Sequence, residues 1–143
     1  MEPVTIKEFD EWMAANCYND SYGIGNRNIH EGYGLYTLDG LYVWYYTERG
    51  KRDNLKYFTT EQEAVAYALC QMKADKFANA HLVGFLKKDA EAVLLLELER
   101  RSIKYWTDQI PYGGVHDPRI RVFVSGCDIK NALDLQTQYG KMF

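Results

Sequence analysis

The sequence predicts an α+β fold: an antiparallel sheet, made of an N-terminal three-stranded meander and later strands, packs against several helices in a single domain over residues 1–143. Aromatic and β-branched residues flank the dipeptide Asp39-Gly40, which signals a β-hairpin. Capping sequences of the form Thr-x-x-Glu begin at Thr5 and Thr60, and apolar residues follow each at helical spacing. A hydrophobic fraction of 47% over 143 residues is enough for one core.

The first predicted helix runs from Ile6 to Ala15. Thr5 and Glu8 form its capping box, in which each side chain accepts a hydrogen bond from a backbone N–H group that the first turn leaves unpaired. An irregular segment rich in Asn, Gly and Tyr follows over residues 16–34. Because irregular segments of this length are uncommon in compact domains and are often functional, we expect binding residues within it.

The second strand of the hairpin, residues 41–46, is apolar or aromatic on both faces. One face carries Leu41, Val43 and Tyr45, and the other carries Tyr42, Trp44 and Tyr46. Either the fold covers both faces, or one Tyr/Trp face is kept for a partner. Coverage of both faces predicts that Trp44 is largely buried. A turn at residues 48–51 then leads to a third strand over residues 55–58.

Two longer helices are predicted after the meander. Thr60 and Glu63 form a second capping box at the start of a helix over residues 61–77. A third helix, over residues 88–101, contains a continuous apolar run at residues 92–98. So broad an apolar band predicts a central helix that is covered on much of its circumference.

The C-terminal part predicts two shorter strands, over residues 103–106 and 120–124, and a last helix over residues 125–135. The loop between the strands, residues 107–119, is punctuated by proline and glycine.

Composition and charge bear on partners and compartment. The net charge is −3, and residues 1–39 carry seven acidic residues against Lys7 and Arg27. This acidic end favours a basic partner, and a solvated helix face is the alternative explanation. No apolar run approaches the length of a membrane span, and the first four residues lack the features of a secretion signal, so we expect a cytoplasmic protein.

The three cysteines, Cys17, Cys70 and Cys127, are widely spaced and predict neither a disulfide framework nor a zinc knuckle. Cys70 lies within an apolar helical stretch and is interpreted as a small buried hydrophobic residue. The cysteines therefore favour a reducing compartment.

No motif predicts catalysis, a cofactor or a metal site, and we expect a protein that is not an enzyme. Residues 23–28 lack the third glycine and the strand–turn–helix context of a dinucleotide-binding loop. His30-Glu31 and His116-Asp117 each place an imidazole beside a carboxylate, but a shared site would need the two loops to meet. A hydrolase that uses His30 or His116 is the remaining catalytic alternative.

A further alternative is an RNA-binding or enzyme-associated accessory domain. If the β-branched residues of the strand at 120–124 face the core, Arg119, Arg121 and Phe123 share its outward face. The arginines would then form a basic strip with Lys104, and nearby aromatic residues would allow stacking on bases. The residues of this strip are Lys104, Tyr105, Trp106, Arg119, Arg121 and Phe123. The acidic remainder of the chain counts against this alternative.

One part of the chain resembles a known class of proteins. Residues 42–50, the pair Tyr57-Phe58 and the helix at residues 61–69 are similar to the immunity proteins of bacterial polymorphic-toxin and contact-dependent growth-inhibition systems. The resemblance implies a small cytoplasmic protein that binds one cognate secreted toxin domain and neutralises it, with no chemistry of its own. It supplies no catalytic residues.

The acidic composition suggests that the toxin is a basic nuclease, because carboxylates suit a nucleic-acid-binding groove. We expect contact where loops expose aromatic and acidic groups without disturbing a sheet. The predicted toxin-binding residues are Asp20, Tyr22, Glu31, Tyr33, Tyr112, His116 and Asp117. The exposed sheet edge and the acidic first helix are the alternative locations.

Overall fold

The computed structural model describes residues 2–25 and 27–140. The chain divides into two compact units, Met1–Ala78 and Asn79–Phe143, which are described separately below. The α+β class is confirmed, with helices and antiparallel strands in both units. The strands form two three-stranded sheets, one in each unit, rather than one shared sheet. That residues 1–143 form a single domain stays a prediction.

Unit one is a helix, a three-stranded meander and a second helix. Its elements are α1 (Ile6–Ala15), β1 (Gly32–Leu38), β2 (Leu41–Glu48), β3 (Lys51–Phe58) and α2 (Glu61–Lys73). The strands lie in the order β1-β2-β3, and both pairs are antiparallel. The segment between α1 and β1 is irregular, as its composition predicts.

The predicted helix starts are accurate because the caps are local. The Thr5 side chain accepts a hydrogen bond from the Glu8 backbone N–H at 3.1 Å, and the Glu8 carboxylate accepts one from the Thr5 N–H at 3.2 Å. The hydroxyl of Thr60 accepts a hydrogen bond from the Glu63 N–H at the start of α2. This helix ends at Lys73 rather than at residue 77. The helix does not continue because the Asp75 carboxylate accepts a hydrogen bond from the Phe77 N–H, which competes with the helical hydrogen bonds.

Both predicted turns of the meander are present. Asp39 and Gly40 have φ values of 52° and 81°, the left-handed geometry of a two-residue hairpin turn. The third strand begins at Lys51, four residues before the predicted start, because its polar first half is an exposed edge rather than a buried strand. Its register shifts between Lys56, opposite Trp44, and Asn54, opposite Tyr45, which leaves Leu55 as the extra residue of a bulge.

The core of unit one lies between its helices and the sheet. Trp44 is 3% exposed, and Val43 and Tyr45 on the opposite face of β2 are also buried, so the prediction of coverage on both faces is confirmed. The buried cluster contains Phe9, Met13, Tyr22, Ile24, Leu35, Trp44, Ala64, Val65, Ala68, Leu69, Met72 and Ala78. Cys70 is exposed rather than buried, so the prediction for this cysteine is wrong.

Unit two is a second three-stranded antiparallel sheet with two helices. Its elements are β4 (Ala80–Leu86), α3 (Glu91–Arg100), β5 (Trp106–Ile110), β6 (Arg119–Ser125) and α4 (Leu133–Tyr139), with short 3-10 turns at Lys88–Ala90 and Gly126–Asn131. The strand order is β4-β6-β5, which places β6 in the centre.

Unit two departs from the predicted elements in three places. The strand β4 was not predicted, since its short apolar run lacks alternation and contains Gly84, where a Cβ atom would lie 2.5 Å from Leu94 Cδ2. The strand β5 is Trp106–Ile110 rather than residues 103–106, so it shares only Trp106 with the predicted strand and takes up the first part of the predicted loop. The segment predicted as one last helix is a 3-10 turn followed by α4, which extends to Tyr139.

The helix α3 is not covered on most of its circumference. Leu94 and Leu98 are fully buried, but Val93 and Leu96 are 60% and 65% exposed. The predicted central helix is therefore an amphipathic helix with additional apolar residues on its outer side. No helix in the described part of the chain is both long and apolar enough to cross a membrane.

Candidate recognition surfaces

The seven predicted toxin-binding residues fall into two groups. Asp20, Tyr22, Glu31 and Tyr33 lie in unit one, and Tyr112, His116 and Asp117 lie in unit two. The geometry within each group shows which of these side chains is available for contact.

Asp20 is exposed but already has a cationic partner. Its Oδ1 lies 2.6 Å from Arg27 Nη1, and Arg27 Nε donates to Asp10 Oδ1 at 2.9 Å. The guanidinium therefore ties the irregular segment to α1 and offsets part of the charge of both carboxylates.

Tyr22 is 6% exposed, so the prediction that it is available for contact is wrong. The backbone explains its position: Gly23 N–H donates to Tyr33 O at 2.9 Å and Leu35 N–H donates to Gly23 O at 3.1 Å, which lays the segment alongside β1. The Tyr22 hydroxyl donates to Asp75 Oδ2 at 2.8 Å. Burial, followed by this hydrogen bond, raises the pKa of Tyr22.

Tyr33 lies on β1 rather than in a loop, and it is 41% exposed. Its ring stacks on that of Trp44, with centroids 5.6 Å apart and an interplanar angle of 7°. The edge of Tyr46 approaches it at 5.0 Å. The Tyr33 ring is therefore held rigidly by its neighbours while a large part of it remains open to solvent.

Four aromatic rings and two charged groups of unit one line a groove of about 430 Å³. This aromatic groove is formed by Tyr22, Tyr33, Trp44, Tyr67, Lys56 and Asp75. Lys56 Nζ lies 4.6 Å from the centroid of the Tyr67 ring, a cation–π contact inside the groove. Sequence reasoning missed Lys56, Tyr67 and Asp75, and the register that places Lys56 opposite Trp44 depends on a bulge that no local signal predicts.

Three carboxylates continue the same sheet face beyond the groove. Tyr33, Tyr46 and Asp53 lie directly opposite one another across the three strands. Glu48 follows two residues after Tyr46 in β2, so alternation places it on this face. Glu31 lies just before β1, and its charge acts on the Tyr46 hydroxyl, so it borders the same face. Burial, and then the charges of Glu48 and Glu31, raise the pKa of the Tyr46 hydroxyl. We call Glu31, Glu48 and Asp53 the acidic row.

The predicted residues of unit two lie in a loop that is ordered by its own contacts. Tyr112 is 55% exposed, with its ring 5.2 Å from that of Phe85 and 5.0 Å from the guanidinium carbon of Arg119. Asp117 Oδ1 accepts from Arg119 Nη1 at 2.8 Å. His116 is exposed. The loop thus brings Tyr112 and Asp117 to the same arginine.

The predicted basic strip is not present as an exposed surface. Arg119 and Phe123 are 5% and 7% exposed, against the prediction that both point outward, because Tyr112 and Asp117 lie against Arg119 and the Trp106 ring covers Phe123. Arg121 Nε donates to Asp108 Oδ1 at 2.8 Å. Trp106 stacks on Phe123 with centroids 4.2 Å apart. The arginines and the indole ring therefore have intramolecular partners, which counts against nucleic-acid binding at this position.

Neither a metal site nor a dinucleotide-binding loop is supported by the described residues. Among residues 2–25 and 27–140, no group of three His, Cys, Asp or Glu side chains is placed to hold a metal ion. Ile24, in the glycine-rich segment, is fully buried, and a Cβ atom on Gly25 would lie 3.1 Å from the Asp10 carboxylate carbon. The predicted segment also includes Asn26, which lies outside the described residues.

No known protein family, curated protein or solved structure matches this chain.

Proposed function

We propose that this chain is an immunity protein that binds a cognate secreted toxin domain and neutralises it by occluding the active or substrate-binding site. The observation that supports it most is the continuous surface formed by the aromatic groove and the acidic row. Rigid aromatic rings provide large contact area at low entropic cost, and they are enriched at protein–protein interfaces. Tyr33 is such a ring, because it is stacked on Trp44 and is still 41% exposed.

The charge of unit one favours a basic partner, as a nuclease would be. Residues 1–78 contain twelve acidic and eight basic residues, a balance of −4, whereas residues 79–143 contain eight acidic and nine basic residues. A partner that binds nucleic acid carries a cationic groove for phosphates, and carboxylates can occupy that groove in their place.

We further propose that the chain acts by binding alone and without catalysis, in the cytoplasm of the cell it protects. The resemblance of residues 42–50, 57–58 and 61–69 to immunity proteins supports this location.

Co-expression with the C-terminal domain encoded by the neighbouring upstream gene tests the proposed function. We expect the two proteins to co-purify as a stable complex, and we expect nuclease activity of that domain to disappear when the chain is added in equimolar amount. An unrelated acidic protein of similar size serves as the control. A toxin domain that stays fully active at saturating concentrations of this chain would contradict the proposal.

A further inference from the structure

The aromatic groove already holds one cation of the chain itself. Lys56 Nζ lies 4.6 Å from the Tyr67 ring centroid and 5.6 Å from that of Phe58. On another part of the sheet, the guanidinium of Arg52 lies between two tyrosine rings, 4.5 Å from Tyr36 and 4.1 Å from Tyr45. The rings of this sheet are therefore placed where their electron-rich faces attract cations. Tyr33 has no such cation within the described residues, although its ring is partly exposed.

The charges around Tyr33 favour a cation from outside the chain. Glu31, Glu48 and Asp53 are exposed, and among the described residues none of the three forms an ion pair. Asp75, in the groove, accepts hydrogen bonds from Tyr22 and from the Phe77 N–H. Lys51 lies directly opposite Glu48 across β2 and β3, and Lys56 lines the groove. These two lysines offset half of the charge of the four carboxylates, so the surface keeps a net negative charge. A cation beside Tyr33 would thus gain both an aromatic ring and a net negative surface.

We propose that the aromatic groove and the acidic row together bind a basic segment of the partner, with one arginine side chain stacked against Tyr33. This inference rests on the proposed function and names the chemistry by which the partner is recognised. Arginine suits the site better than lysine, because its planar guanidinium stacks on an aromatic ring and donates to carboxylates in the same plane.

The same rings could stack on nucleic-acid bases, but the charge pattern disfavours that occupant. A single strand carries a phosphate for each base, and the phosphates would lie next to the acidic row. A guanidinium is attracted by the rings and by the carboxylates at once. The observations therefore favour an arginine-bearing protein segment over RNA.

The test uses the full chain, labelled with ¹⁵N, and an octa-arginine peptide as the probe. We expect saturable shifts of the backbone signals of Tyr33, Trp44 and Tyr46. An octa-citrulline peptide, which is neutral but similar in shape, is expected not to bind. Equal binding of the citrulline peptide, or tighter binding of a single-stranded oligoribonucleotide at the same residues, would overturn the proposal.

Three variants test whether the octa-arginine peptide binds at Tyr33. Tyr33→Ala should weaken octa-arginine binding about tenfold or more, because it removes the stacking ring. Tyr33→Phe keeps the ring and should bind like the wild type. Tyr57→Ala removes a ring that is 53% exposed on the opposite face of the same sheet, where Tyr57 pairs with Val43, and should leave the affinity within about twofold. Unchanged affinity in Tyr33→Ala overturns the proposal.

If Tyr33→Ala does not fold, a second variant that changes only charges still tests the proposal. Replacing Glu31 and Asp53 by Gln and Asn leaves every ring in place and removes two exposed charges of the acidic row. We expect weaker octa-arginine binding with a smaller dependence on salt concentration. Binding and salt dependence identical to those of the wild type would overturn the proposal.

Failure of this inference can be told apart from failure of the proposed function. If the toxin domain binds the wild type and the Tyr33→Ala variant equally well, the groove assignment is wrong and the proposed function stands. If octa-arginine binds the groove but the neighbouring toxin domain does not bind the chain, the groove stands as an arginine site and the proposed function is wrong.

Discussion

The two units contain similar kinds of charged side chains but pair them differently. In unit two, Arg101 Nη1 lies 2.8 Å from Asp134 Oδ1, and this guanidinium lowers the pKa of Asp134 to about 2. Further ion pairs of unit two are Arg121–Asp108, Arg119–Asp117, Arg100–Glu97 and Lys88–Glu91. In unit one the acidic row has no such partners among the described residues. A charge that already has an intramolecular ion-pair partner attracts another molecule less strongly, and this supports the proposal that recognition takes place on unit one.

The aromatic residues show the same contrast. In unit two, Trp106 stacks on Phe123, and Tyr105 donates its hydroxyl to Glu99 Oε1 at 2.7 Å. In unit one, the rings of Tyr22, Tyr33 and Trp44 lie next to one another, and the outermost ring remains 41% exposed. The comparison teaches that the number of aromatic residues does not identify a recognition surface. A better indicator of a recognition surface is an aromatic residue such as Tyr33, which is stacked on a buried ring and still 41% exposed.

The largest expected effect is on the stability of unit one. Trp44→Ala removes a ring that is 3% exposed and packs on Tyr33 and Tyr67, and it should lower the free energy of unfolding by about 3–5 kcal/mol. Val93→Ala, on the exposed side of α3, is the matched apolar control and should change stability by less than about 0.5 kcal/mol. Chemical denaturation measures both. A Trp44→Ala protein as stable as the control would contradict the core described for unit one.

Sequence reasoning succeeds in these units where the determinants are local. The Thr5–Glu8 cap and the Asp39-Gly40 turn each depend on residues within a few positions of one another, and both are present as predicted. The exposure of Tyr22 and Arg119 was predicted wrongly because it depends on distant partners. Tyr22 is buried through a bridge to β1 and a hydrogen bond to Asp75. Arg119 is buried because Ile110 lies opposite it and the Tyr112 ring lies 5.0 Å from its guanidinium, contacts that form only when β5 pairs with β6.

The residues of the candidate site also fall into those that local sequence predicts and those that depend on distant contacts. Tyr33 and Glu31 could be selected from the sequence because aromatic and acidic residues in an irregular segment favour contact. Lys56, Tyr67 and Asp75 could not, since the groove they complete exists only after the sheet has packed against α2. The acidic row likewise depends on the register that places Asp53 opposite Tyr46.

A smaller effect distinguishes two tyrosine–carboxylate hydrogen bonds, one in each unit. Tyr22→Phe removes the donor to Asp75 at a partly buried position, and it should lower the free energy of unfolding by about 1 kcal/mol. Tyr105→Phe removes the donor to Glu99 at an exposed position, where water replaces it, and should cost only about 0.3 kcal/mol. Thermal unfolding of both variants measures the difference. If both variants lost the same free energy of unfolding, the Tyr22 hydrogen bond would not be more stabilising than the exposed Tyr105 hydrogen bond.

The smallest expected effect is on the rate of association with the toxin domain. Glu31→Gln removes a carboxylate that has no ion pair among the described residues, so at low salt it should slow association roughly two- to threefold. The charge of Asp117 in unit two is already compensated by Arg119 at 2.8 Å, so Asp117→Asn should leave the rate nearly unchanged. Because exposed charges are screened over about 8 Å at physiological ionic strength, the Glu31 effect should fade as salt is raised. Surface plasmon resonance at low and high salt gives both rates. If Asp117→Asn slowed association more than Glu31→Gln did, recognition would have to be reassigned to the loop of unit two.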